Sequence, residues 1–138
     1  SGYMIKLILP FPDTKETYKT VVKAEIELKP LVWPFPDIAL PSSLYVYSTN
    51  TYNEVGNIVY NSTNNPIVGK YVVDSENIDN NRYIFDITDY YQNLVNTAPI
   101  TGKEPQFLLT LPDMTNSFER VIIKEKPILR VYYASYKD

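Results

Sequence analysis

Neither cysteine nor histidine occurs among the 138 residues. Ser-His-Asp and Cys-His nucleophilic sites therefore lack a member, and a zinc site of the usual Cys and His ligands cannot be assembled. Lack of disulfides is compatible with a reducing compartment and with an exported protein alike. Long apolar stretches are missing as well. The chain is 44% hydrophobic, yet runs such as Ile38-Ala39-Leu40 fall far short of the about 20 residues that a membrane-spanning helix needs. A basic stripe is the third absence: 13 Lys and Arg stand against 16 Asp and Glu, for a net charge of -3, and the basic residues are scattered. That distribution argues against binding a nucleic-acid backbone. Ser1-Gly2 is followed by no basic and apolar leader, so any export signal or lipid anchor is expected outside these residues.

What is present has the size of one domain with a single core. Tyrosine is over-represented, with 13 residues beside five Phe and one Trp. Half-buried β surfaces favour this side chain, whose ring packs while its hydroxyl reaches water. The alternative is a stacking platform for sugars, which requires several rings on one exposed face.

Period-2 alternation dominates the chain. It predicts a strand over Tyr3 to Leu9, and a second over Val21 to Lys29 with Val22, Ala24, Ile26 and Leu28 facing a core and Lys23, Glu25, Glu27 and Lys29 facing water. The proline-dense stretch Pro30 to Pro41 cannot be a central strand and is expected to run as an extended connection. Its Trp33 and Phe35 are the candidate ligand-binding aromatics; the competing reading has them close one end of the sandwich. Further strands are expected at Leu44 to Tyr47, in a short piece Ile58 to Tyr60, and at Pro66 to Val73 with a bend at Gly69. Asn-rich loops flank Ile58 to Tyr60, and Asn61-Ser62-Thr63 matches a glycosylation sequon, a pattern common by chance.

Arg82 to Ile87 reads as a strand that feeds a short helix near residues 88–96, with Thr88 as N-cap, Asp89 in the first turn and Tyr91, Leu94 and Val95 at helical spacing. Strands at Gln106 to Leu111, Phe118 to Lys124 and Ile128 to Tyr133 complete a count of eight or nine. An all-β antiparallel sandwich forming one domain over residues 1–138 accommodates them.

Several of these segments resemble the second half of jelly-roll modules. Arg82-Tyr83-Ile84-Phe85-Asp86-Ile87-Thr88 is similar to the Tyr/Phe-x-Phe/Ile-Asp-Ile/Val-Thr strand that precedes their short helix, and Pro127-Ile128-Leu129-Arg130-Val131-Tyr132-Tyr133 is similar to their closing strand. With Gly2 to Leu7, Leu9-Pro10 and Lys23-Ala24-Glu25-Ile26-Glu27-Leu28, the chain resembles an uncharacterised family of Bacteroidetes surface lipoproteins whose domain is carbohydrate-binding-module-like. The resemblance implies a jelly-roll β-sandwich, export to the outer membrane or cell surface, and anchoring through a lipid carried outside these residues. It implies no activity.

The remaining candidates are carboxylates. Asp86 and Asp89 flank Thr88 and have the hard oxygen chemistry of Ca²⁺ ligands; the alternative is that they serve the helix start, in which case no cofactor is needed. The loop Asp74 to Asn81 holds three acids and three Asn without EF-hand spacing and reads as a solvated loop. A carboxylate pair of the glycosidase kind is formally available, but no acid lies in an apolar setting, and a non-catalytic module is expected. The function expected is a structural or protein-interaction module of the cell envelope that meets an envelope protein, or alternatively a carbohydrate-binding module that meets a surface glycan through exposed aromatics.

Overall fold

The computed structural model describes residues 5–9, 20–30, 43–52, 54–61, 63–101, 106–110 and 127–134. They form seven strands, β1 (Ile5–Ile8), β2 (Thr20–Leu28), β3 (Ser43–Ser48), β4 (Val68–Val72), β5 (Arg82–Asp86), β6 (Gln106–Thr110) and β7 (Ile128–Ala134), with one helix, α1 (Thr88–Thr101), and a 3-10 turn at Ile78–Asn80. The strands make one sheet in the order β1-β6-β3-β4-β5-β2-β7, every neighbouring pair antiparallel. The fold is thus mostly β with one helix, as the alternation predicts. Phe118 to Lys124, Trp33 and Phe35 lie outside the described residues.

Alternation in β2, β3 and β5 gathers large apolar residues on one face. Ala24, Ile26, Leu28, Leu44, Val46, Tyr83 and Phe85 are all buried there, each large aliphatic or aromatic side chain contributing about 1.5–3 kcal/mol by leaving water. Gly69 is part of this packing. It pairs across the ladder with Phe85, whose ring lies where a Cβ on Gly69 would stand. The glycine is required for space, not for a bend. The sheet also curls: Leu7 and Leu9 at one end of the strand order and Pro127 and Leu129 at the other line a common apolar cleft of about 290 Å³, with Ile26 as a shared wall.

The start of β2 departs from the sequence expectation. Val22, assigned to the core face, is 60% exposed, whereas Val21 is 7% exposed. A register shift between Val21 and Lys23 opposite β7 inserts an extra residue and flips the strand start by one position. Helix α1 stabilises the irregularity. Gln92 Oε1 accepts from the Val21 N–H at 2.7 Å, Thr88 Oγ1 accepts from the Ala24 N–H at 3.1 Å, and the Ile87 N–H donates to the Ala24 carbonyl at 2.9 Å. The chain leaving β5 thus takes over as partner of β2, and Tyr91, Leu94 and Val95 seal the core beside it.

The helix start also differs from expectation. Thr88 is already helical, and the Ile87 carbonyl accepts the Tyr91 N–H at 2.7 Å, so Ile87 occupies the capping position. Thr88 instead binds Asp86: its N–H and hydroxyl both donate to Asp86 Oδ1, at 3.0 and 2.6 Å. The helix continues past Asn96 to Thr101, although Pro99 offers no N–H to the carbonyl four residues earlier.

Candidate functional site

The opposite face of the same sheet carries charged side chains on β2, β4, β5 and β7. Because β2 lies between β5 and β7, the wet positions of three adjacent strands meet: Glu27 pairs in register with Ile84 on one side and Ile128 on the other, and Glu25 with Asp86 and Arg130. Glu27, expected in water, is 6% exposed. Two arginines cover it. Arg82 Nε forms an ion pair with Oε1 at 3.1 Å and Arg130 Nη1 donates to Oε2 at 2.8 Å. A carboxylate at this depth requires such partners, since each removed from water without them costs several kcal/mol. The contact also holds the Arg130 guanidinium above its ordinary pKa, chiefly through the hydrogen bond to Glu27.

Around this knot the face forms a shallow depression of about 720 Å³. Lys23 and Tyr132, paired across β2 and β7, stand at one side; Lys70 on β4 stands at the other, in register with Ile84. Lys23 Nζ lies 3.6 Å from Glu25. Arg82 Nη1 donates to the Asn80 carbonyl at 3.0 Å, which ties the adjoining loop to the rim. That loop is built around Asp74, whose Oδ1 accepts from the Glu76 and Asn77 N–H groups and whose Oδ2 accepts from Asn80 Nδ2 at 2.9 Å. These bonds, the Asn80 side chain first, hold the Asp74 carboxyl below its ordinary pKa. Asn50 and Asn61 cap their loops in the same way, each accepting N–H groups two and four residues ahead. Asn61 also accepts the hydroxyl of Thr63 at 2.6 Å.

The sequence candidates fall into three groups. Trp33 and Phe35 lie outside the described residues. Asp86 and Asp89 come together in a side pocket of about 380 Å³, but with Lys23 in its wall and with Asp86 Oδ1 engaged by Thr88. Among the described residues no group of three acidic side chains is arranged to hold a metal ion. The tyrosines divide: Tyr83 and Tyr91 are buried, Tyr71 packs against Tyr83 at a ring distance of 5.0 Å, and the exposed Tyr52, Tyr60 and Tyr132 stand apart, the first two in or beside loops and the third on β7.

The sequence reading overlooked the Glu27, Arg82 and Arg130 cluster. Its signal was available: each of the three occupies a wet position of an alternating strand, and opposite charges on adjacent strands pair across a sheet. No family model matches the chain, and searches of curated proteins and of solved structures find no match either. No helix among the described residues is long and apolar enough to cross a membrane.

Proposed function

We propose that the chain is a non-catalytic binding module, a jelly-roll β-sandwich belonging to a Bacteroidetes-type surface lipoprotein, which meets a cell-surface partner through the charged face of its sheet. The observation that carries this reading is the depression over β4, β5, β2 and β7, where polar side chains converge on a floor of four hydrogen-bonded strands. The strand-to-helix step at Asp86, Ile87 and Thr88 and the closing β7 strand support the jelly-roll assignment, as does the curl that brings β1 and β7 to one cleft. The carboxylates of the face favour binding over catalysis. Glu27 is held by two arginines, Glu25 lies beside Lys23, and Asp86 is bonded to Thr88; a general acid needs instead a carboxyl kept neutral in an apolar setting.

The test is a binding screen of the full chain against surface glycans and envelope proteins, repeated with a Lys23→Glu/Lys70→Glu double variant. Both lysines are exposed, so the variant is expected to keep its Tm within a few degrees and to lose the ligand that the parent chain retains. Undiminished retention by the variant, or turnover of the ligand, would overturn the reading. Fractionation of the full-length protein checks the location: recovery with the outer membrane is expected, and recovery in the cytoplasm contradicts it.

A further inference from the structure

Charges on the outer face are nearly balanced in number but not in depth. The two β2 carboxylates lie at the floor: Glu27 is 6% and Glu25 16% exposed, whereas Lys23 is 57%, Arg130 39% and Arg82 26% exposed. Asp86, at the edge, is exposed, with its Oδ1 engaged by Thr88. Lys70 is exposed too, and no ion pair to it is present among the described residues. Away from the Asp86 edge, a group approaching from solvent over Lys23, Lys70 and Arg130 therefore meets ammonium and guanidinium groups first. The buried anions act at longer range, through the cations bonded to them. On a chain of net charge -3, the four cations of this depression, Lys23, Lys70, Arg82 and Arg130, outnumber its three carboxylates by one.

From this depth ordering we infer that the ligand of the outer face is an acidic glycan, a short segment carrying uronic-acid carboxylates. The inference rests on the reading of this face as the binding surface. Three features select the ligand class. Glu27 and the Asn80 carbonyl take only part of the donors on Arg82 and Arg130. Each guanidinium has five N–H groups in a planar fork, and such a fork matches a carboxylate or a pair of sugar oxygens. Because Glu27 pins both forks, little side-chain freedom remains to be lost on binding. The depression of about 720 Å³ falls within the about 300–1,000 Å³ typical of small-ligand sites, with the half-exposed Tyr132 ring at its side. A protein partner is disfavoured because charge occupies the centre of the face, where protein interfaces are depleted in it.

The experiment is calorimetric titration of the full chain with oligogalacturonate, with a neutral gluco-oligosaccharide of equal length and with polyglutamate, each at low and at physiological salt. Saturable binding of oligogalacturonate that weakens with salt, and no binding of the neutral chain, is the expected result. Lys70→Glu is expected to weaken it roughly three- to tenfold without altering the melting curve. Arg130→Lys, which keeps the charge against Glu27 but removes the fork, is expected to weaken it also, while Lys70→Arg retains it. Equal binding of the neutral chain, or indifference to Lys70→Glu, overturns the inference. Equal binding of polyglutamate overturns it in favour of an acidic polypeptide. If oligogalacturonate does not bind while another ligand is retained and is lost in the Lys23→Glu/Lys70→Glu variant, the glycan class is wrong and the binding face stands. If no ligand depends on these lysines, the face itself is wrong.

Discussion

The two faces of the sheet are made by the same strands and obey opposite rules. On the inner face, Phe85, Tyr83, Leu28 and Ile26 fill space, and what matters is volume: Phe85 fits because Gly69 has no side chain. On the outer face one residue further along each strand, Arg82, Glu27 and Arg130 matter through hydrogen-bond geometry. Stability therefore resides mainly in the first face, and the second is free to specialise. An ion pair replaced by apolar groups of similar shape is often neutral for folding, whereas a cavity is not.

Substitutions can break this contrast directly, and the largest effects belong inside. Phe85→Ala removes a fully buried ring and is expected to destabilise by about 3–5 kcal/mol in denaturant melts. Gly69→Ala places a methyl group into that ring and is expected to cost about 1–3 kcal/mol; an unchanged midpoint would show that the β4 and β5 packing is looser than described. Glu27→Ala is intermediate. It leaves Arg82 and Arg130 facing each other over a hole, but both guanidiniums still reach water, so a loss of about 1–3 kcal/mol is expected in place of the larger cost of a fully buried pair. Glu27→Met, which removes charge but keeps bulk, is expected to cost less than Glu27→Ala.

The bulge in β2 sharpens the contrast at single-residue scale. Val21→Ala is expected to destabilise by about 1–3 kcal/mol and Val22→Ala by under about 0.5 kcal/mol. The unshifted alternation of the sequence predicts the reverse order. The smallest effect concerns the loop at the rim. The Asp74 carboxyl sits below its ordinary pKa in the folded chain, so its contribution is fully present above the unfolded-state value and is lost as pH falls through the folded one. Asp74→Asn is expected to lower stability slightly at neutral pH, to leave it almost unchanged in acid where the parent carboxyl is protonated, and so to flatten the acid end of a stability-against-pH curve.

These cases show where the sequence is legible. Alternation in Lys23 to Leu28 and Arg82 to Asp86 identifies both faces because the period is local and the strand is half wet. It cannot locate the bulge, where the Val21 N–H donates to Gln92 on the helix, 71 positions away. Burial of Glu27 has the same origin, for Arg130 lies 103 positions away. Thr88 has N-cap chemistry, yet the hydroxyl is used by Asp86 and by β2, so tertiary partners decide its place. The Asn-rich loops were readable as loops because Asn and Asp side chains cap their own backbone, as Asn50, Asn61 and Asp74 do. Trp33 and Phe35 lie outside the described residues, and the described polar face draws on contributions from four strands that no local sequence pattern joins.

The central claim is that the outer face alone carries binding while the inner face carries the fold. Its most direct test is a two-dimensional amide NMR titration of the full chain with oligogalacturonate. The account predicts progressive shifts at Lys23, Lys70, Arg82, Arg130 and Tyr132, with the Val46 and Leu44 amides of β3 unmoved. Shifts confined to other segments, with these residues silent, would contradict it.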